Sequence, residues 1–253
     1  MISLRDKDVP KWTIEYNLAT KKIEQFKGGG DEPVNSLPES RELVLQTLHT
    51  LKEAGYETLG INEAFDYDIY LDRKIGGYQS IERKDKGSKT LRELILHNKD
   101  VQIIRGSIEL DESFSPEEVN IISATEGVDI NFTQATKEAK NSVLEIKGNM
   151  QDGSSSASYG KLKHIGGDAY FYNMESAQGL ETLSTIGGYA DFYSLTSAQG
   201  LETLSTIGGD AYFPSLISAQ GLKTLSTIGG YADFYSLTSE EKKKIPALRD
   251  RFS

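Results

Sequence analysis

From Leu162 onward the chain repeats itself four times at a strict spacing of 21 residues. The copies begin at Leu162, Leu183, Leu204 and Leu225, and each carries Ile-Gly-Gly followed by Asp-Ala-Tyr-Phe or Tyr-Ala-Asp-Phe. A unit this short cannot bury its own apolar face, so a fixed period in this range describes units that stack on one another. Period-2 alternation after the glycines puts Ala169 and Phe171 on one face and Asp168, Tyr170 and Tyr172 on the other. The inward face is the one with the invariant columns: Ala169, Ala190, Ala211 and Ala232, then Phe171, Phe192, Phe213 and Phe234. Ile165, Met174 and Leu180 and their counterparts complete each rung. Burying one large apolar side chain is worth roughly 1.5 to 3 kcal/mol before conformational entropy is set against it, so only several stacked rungs give net stability. The Gly-Gly pairs are expected at a corner, where a positive φ or close packing between rungs excludes a Cβ.

The outward face is a checkerboard. One column reads Asp168, Tyr189, Asp210, Tyr231, and its neighbour reads Tyr170, Asp191, Tyr212, Asp233. Parallel rungs lie about 4.8 Å apart, so the alternation separates like charges by about 9.6 Å and sets each aspartate beside a tyrosine. That pattern keeps an exposed sheet soluble. With Tyr172, Tyr193 and Tyr235 it also makes a rigid aromatic surface of the kind used in recognition, since tyrosine offers a large contact area at low entropic cost.

The unit L-x-x-I-G-G-x-A-x-F-x-x-x-x-S-x-x-G-L-x-x resembles the leucine-rich-repeat-like solenoids of bacterial and phage proteins, and its Gly-Leu…Leu-x-x-Ile-Gly-Gly order is similar to the receptor L-domain repeat. The resemblance covers residues 162–239 and implies a right-handed β-solenoid that binds a protein or peptide, with no catalytic residues to carry over. The Asn ladder of ordinary leucine-rich repeats is missing.

Looser matches precede the clean copies: Ile-Arg-Gly-Ser-Ile-Glu-Leu from Ile104, Glu-Gly-Val-Asp-Ile-Asn-Phe after Thr125, and Ile-Lys-Gly-Asn-Met from Ile146. They extend the expected solenoid over 101–238, with degenerate rungs in 101–160 and a register-offsetting loop over Asp152–Gly160. After Thr238, Ser-Glu-Glu-Lys-Lys-Lys breaks the repeat and reads as a helical cap over 239–253, with Ser239 as N-cap.

Residues 1–100 follow other rules and are expected to form an α+β head. Trp12, Ile14, Tyr16 and Leu18 alternate, and Ile23 and Phe26 follow after Ala-Thr-Lys-Lys, which predicts a hairpin with one buried face. Ser36-Leu-Pro-Glu39 is a capping-box signature before an apolar stripe of Val44, Leu45, Leu48 and Leu51, closed by Gly55. Phe65, Tyr67, Ile69 and Leu71 alternate with Asp66, Asp68, Tyr70 and Asp72, a strand with an acidic edge, and a short helix is predicted from Lys89 to His97, capped by Ser88.

Any chemistry belongs in this head. Asp68 and Asp72 followed by Glu82-Arg83-Lys84 resemble the acidic-residue-then-E-x-K arrangement of the PD-(D/E)xK nuclease superfamily. The resemblance implies two carboxylates on a Mg²⁺ ion and Lys84 placing the water. Against it stands the charge: the formal net charge is -10, acid exceeds base in both 1–159 and 160–238, and phosphate backbones are gripped by clustered Lys and Arg. His49, His97 and His164 lack an i, i+4 partner histidine, and with no cysteine there is no thiolate chemistry, so neither a metal centre nor a cofactor is expected. The Ser184 and Thr185 series suggests hydroxyl ladders, which ordinary turn hydrogen bonding explains. The N-terminus lacks a signal-peptide pattern and no apolar run could span a bilayer, so a cytoplasmic location is expected. The reading that follows is a non-catalytic binding protein, an inhibitor or decoy, whose partner is a protein with a basic or neutral surface.

Overall fold

The computed structural model describes residues 2–6, 9–28, 40–61, 67–82 and 89–251. The chain divides into two compact units, Met1–Ile108 with Glu126–Val128, and Glu109–Thr125 with Asp129–Ser253.

In the first unit β1 (Ile2–Asp6), β2 (Val9–Asn17) and β3 (Lys22–Gly28) form an antiparallel meander, and β4 (Gly60–Ile61) joins β3 in parallel. Helix α1 (Ser40–Glu53) presents Val44, Leu48 and Leu51 to a core that also holds Ile14, Ile23, Phe26, Ile61, Ile69, Tyr78 and Ile104. It ends at Gly55, whose φ of +83° lets Tyr56 N–H turn back to Leu51 O. β5 (Tyr67–Asp72) lies between β6 (Gly77–Glu82) and β7 (Val101–Glu109), antiparallel to both, with β6 at the sheet edge, and α2 (Lys89–His97) precedes β7. Three expectations change here. Leu18 falls in the β2–β3 turn and is 76% exposed, because the alternation stops at Asn17. The Ile104 segment, expected as a degenerate rung, is a longer strand of nine residues that pairs antiparallel with β5 on one side, while on the other its Gly106 N–H donates to Gly127 O in the segment expected as the next rung. Asp68, assigned to an acidic edge, is fully buried, and its Oδ1 accepts Ser107 N–H at 3.2 Å. Phe65, Asp66, Lys84, Ser88 and the Ser36–Glu39 capping box lie outside the described residues.

The second unit is a series of very short parallel strands, an arrangement compatible with a parallel β-solenoid. Helices α3 (Pro116–Ser123), closed by a Ser115/Glu118 capping box, and α4 (Lys137–Ser142), capped by Thr136, flank β8 (Val128–Asn131). One ladder then runs β8, β10 (Met150–Gln151), β12 (Ala169–Tyr170), β14 (Ala190–Asp191), β16 (Ala211–Tyr212) and β18 (Ala232–Asp233). A second runs β9 (Glu145–Ile146), β11 (His164–Ile165), β13 (Thr185–Ile186), β15 (Thr206–Ile207) and β17 (Thr227–Ile228). The register aligns Ala169, Ala190, Ala211 and Ala232 and carries Tyr170 onto Asp191, Tyr212 and Asp233. The inward columns are dry: Phe171, Phe192 and Phe213 are fully buried and Phe234 is 3% exposed. Their rings stack at centroid spacings of 5.1, 4.8 and 5.1 Å, close to the rung spacing, so each ring lies on the one before it.

Close packing explains the Gly-Gly pairs, whose φ is not positive. A Cβ on Gly208 would sit 2.1 Å from the carbonyl oxygen of Gly187, so the rungs approach too closely there for any side chain. The positive φ belongs to another corner, at Gly179, Gly200 and Gly221. Hydroxyls brace the same stack: Thr182, Thr203 and Thr224 donate to Leu162, Leu183 and Leu204 carbonyls, and Ser184, Ser205 and Ser226 to the rung before.

The segment Asp152–Gly160 offsets the register as expected, since Met150 lies 19 residues before its partner Ala169 but Ser156 lies 20 before Ser176; it is also a third side of its rung, for Ser176 in turn bridges Ser197 and Tyr159 N–H donates to Gly179 O. Beyond β18, α5 (Ser239–Lys242) is capped by Thr238 rather than Ser239, because the Thr238 hydroxyl accepts Glu241 N–H. Glu241 also accepts Ala219 N–H and pairs with Lys244, and these partners hold its carboxyl below the usual range, Lys244 contributing most. Ile245 and Leu248 are buried, and Ala247 N–H closes on Leu225 O, so the apolar end of the stack is covered.

Candidate interaction surface

The parallel register builds the outward face from the repeat. Tyr170, Asp191, Tyr212 and Asp233 stand in one column by direct pairing, with Asp168, Tyr189, Asp210 and Tyr231 two residues before them in their rungs. Alternation of the two residue types turns the tyrosines into diagonal pairs. The rings of Tyr170 and Tyr189 are 5.8 Å apart and those of Tyr193 and Tyr212 6.0 Å. Exposure is greatest in the last rung: Tyr170, Tyr172, Tyr189 and Tyr212 are half-buried and Tyr193 is 53% exposed, against 70% for Tyr231 and 83% for Tyr235. Pro214 interrupts the Tyr172, Tyr193, Tyr235 column, and Tyr172 hydroxyl accepts Gln151 Nε2 at 2.7 Å.

The aspartates serve the backbone first. Asp168 Oδ1 accepts Tyr189 N–H from the next rung at 2.7 Å, and Asp210 Oδ1 accepts Tyr231 N–H at 2.7 Å. The same bridge runs back through Asn149, which accepts Asp168 N–H, and Asp129, which accepts Asn149 N–H. It also requires the second glycine of the pair, since a Cβ on Gly188 would meet Asp168 Oδ1 at 2.1 Å. Asp191 and Asp233, one column over, instead accept N–H groups of their own rung, from Tyr193 and Tyr235. The checkerboard therefore alternates bonds between rungs with turns inside rungs. This joining role is invisible in the composition of the face.

Burial pushes the phenols of Tyr170 and Tyr189 up to about 12, with the charges of Asp168 and Asp191 respectively adding to it. Tyr212 is raised for the same first reason, with Asp233 next. Desolvation also raises the Asp191 carboxyl, an effect opposed by the N–H of Tyr193 and the hydroxyl of Tyr189. The raised phenols of Tyr170 and Tyr189 stay donors, as in the 3.2 Å bond from Tyr170 hydroxyl to Asp168 Oδ2.

The carboxylates of the nuclease pattern do not converge. In the β5–β6 register Tyr67 faces Glu82, Asp68 faces Ile81 and Asp72 faces Gly77, so Asp68 and Asp72 share one face of the sheet and Glu82 takes the other. Asp72 Oδ1 caps the turn by accepting Lys74 and Ile75 N–H. Among the described residues no cluster of three His, Asp or Glu side chains could hold a metal ion.

Sequence reasoning missed a polar cluster inside the stack. Met150 pairs with Ala169, which places Asp152 in the column that Phe171 continues, and Asp152 N–H donates to Tyr170 O as Phe171 N–H donates to Asp191 O. Asp152 is fully buried. Its Oδ2 accepts Lys140 Nζ at 2.8 Å and Tyr159 hydroxyl at 2.6 Å, while its Oδ1 accepts Ser154 N–H at 2.9 Å and Ser154 Oγ at 2.6 Å. Tyr159 is buried between Phe132 and Phe171, ring centroids 5.5 and 6.4 Å away. The readable signal was an alignment of Ile146-Lys-Gly-Asn-Met-Gln-Asp with Ile165-Gly-Gly-Asp-Ala-Tyr-Phe, which sets an aspartate where the repeat demands a phenylalanine.

Comparison with protein-family models, curated proteins and solved structures finds no match to this chain.

Proposed function

We propose that the second unit is a β-solenoid serving as a rigid, non-catalytic scaffold, and that its tyrosine and aspartate face engages a protein partner through a basic or neutral surface. The observation that carries this reading is the diagonal set of tyrosines fixed on stacked rungs, with exposure reaching 83% at Tyr235. Rings already held in place lose little entropy on binding, and phenol hydroxyls beside carboxylates suit lysine and arginine side chains. Acid exceeds base by four over 160–238, which favours a basic partner by long-range attraction. An inhibitor or decoy that occupies the nucleic-acid-binding groove of such a partner is the version that uses both the charge and the repeat. Among the described residues no helix is long and apolar enough to cross a membrane.

The test is capture from the native host with the wild-type chain and with a variant carrying Tyr170→Ser, Tyr189→Ser, Tyr212→Ser and Tyr231→Ser. The expected outcome is one partner retained by the wild type and lost by the variant, with association slowing as salt rises from about 50 to 200 mM. A partner held equally well by both chains, at both salts, would remove this face from the function.

A further inference from the structure

We propose that Lys140 and Asp152 are joined by a self-formed isopeptide bond between Nζ and Cγ. The amine and the carboxyl are already in contact at 2.8 Å, Asp152 and Tyr159 are fully buried and Lys140 is 5% exposed. Water is therefore kept from a reaction whose product is water, and the two groups are held together as an intramolecular pair. Asp152 is set up as an electrophile. Two donors, Ser154 N–H and Ser154 Oγ–H, converge on Oδ1, where negative charge develops when an amine adds to Cγ. Tyr159 hydroxyl donates to Oδ2, the oxygen that must leave, and burial followed by the Asp152 charge raises that phenol well above its usual range, so it stays a proton donor. Ser154 Oγ also accepts from Lys140 Nζ at 2.8 Å, which orients the amine toward the carboxyl.

The step balances without a co-reactant. The ammonium gives one proton to Oδ2, the amine lone pair forms the C–N bond, and the tetrahedral centre carries its charge on Oδ1. Collapse breaks Cγ–Oδ2, and the oxygen departs with two of the three Nζ protons as water, leaving a neutral amide N–H. Nothing is oxidised or reduced. The bond ties α4 to the one rung of the ladder in which an aspartate replaces the stacked phenylalanine, so a buried ion pair becomes a neutral cross-link.

Intact mass of the full wild-type chain in denaturant is expected to be one water below the mass of the sequence. After trypsin, residues 138–147 and 148–161 should be recovered as a joined pair with no cleavage after Lys140. Lys140→Arg and Asp152→Ala should restore the full mass. Tyr159→Phe, which keeps the ring, should leave part of the freshly purified chain at full mass, losing its water roughly a hundredfold more slowly than the wild type. A wild-type chain of full mass overturns the proposal whether or not any variant folds. So does a chain lighter by one water in which Lys140 is still cleaved, since that result means a succinimide at Asp152-Gly153.

Discussion

Two kinds of rung share one ladder, and they fill the same slot in opposite ways. In the clean repeats Phe171, Phe192, Phe213 and Phe234 stack ring on ring, so each rung presents the next with a copy of itself. In the rung that starts at Met150 the slot holds Asp152, and Tyr159, standing where later rungs have Leu180 and Leu201, leans its ring between Phe132 and Phe171. The rung is also shorter: Met150 to Ala169 spans 19 residues, against 21 from Ala169 to Ala190. A polar group can thus replace a core ring if every oxygen it brings is matched, here by Lys140, Tyr159 and Ser154. The clean rungs draw stability from repetition, the irregular one from a closed set of particular partners.

Breaking each kind tests the contrast. Phe192→Ala removes a ring flanked by two others and is expected to lower stability by about 3 to 5 kcal/mol in denaturant titration. Lys140→Met removes the cross-link and leaves the Asp152 carboxyl buried without its lysine partner, and should cost about 3 kcal/mol or more. Rewriting the rung to the repeat pattern with Lys140→Met, Asp152→Phe and Tyr159→Leu together should recover most of that loss. A triple variant no better than Lys140→Met alone would mean that the polar set is required by the shorter path and not merely tolerated.

Alkali offers a milder probe confined to the outward face. Tyr170 and Tyr189 have folded-state phenols near 12 against about 10.0 for the free group, so folding favours the protonated form. Their contribution is complete below pH 10 and is lost as pH rises from 10 toward 12, because ionisation then releases more free energy in the unfolded chain. The melting temperature should fall through that window, and less steeply in Tyr170→Phe/Tyr189→Phe. The smallest effects distinguish the two aspartate columns. Asp168→Ala loses a bond between rungs and should cost about 1 kcal/mol, whereas Asp191→Ala loses a bond within one exposed turn and should cost less than about 1 kcal/mol. Equal values would remove the distinction between joining and turning aspartates.

The repeat was legible because its periodicity states which side chains meet: columns 21 apart must coincide once rungs are parallel, and the Ala and Phe columns did so, buried throughout except Ala232 in the last rung, which is half-buried. The tyrosine and aspartate face was legible for the same reason. The carboxylates of the head were not, because Asp68, Asp72 and Glu82 lie on neighbouring strands whose pairing register alone decides which face each one takes. Nor was the end of β2, where Leu18 keeps the alternating pattern after the strand has already turned.

By itself the sequence determined the stacking period, the inward and outward columns, the helices at 40–53 and 89–97 and the polar break at the end of the repeat. Each of these follows from local periodicity and propensity. Tertiary structure alone decided that β7 pairs antiparallel with β5, that glycines 187 and 208 are demanded by a neighbouring carbonyl rather than by their own φ, and that Lys140, Asp152, Ser154 and Tyr159 meet in one buried cluster. These depend on which segments are brought into contact, and hydrogen bonds between residues far apart in the chain leave no periodic trace in its sequence.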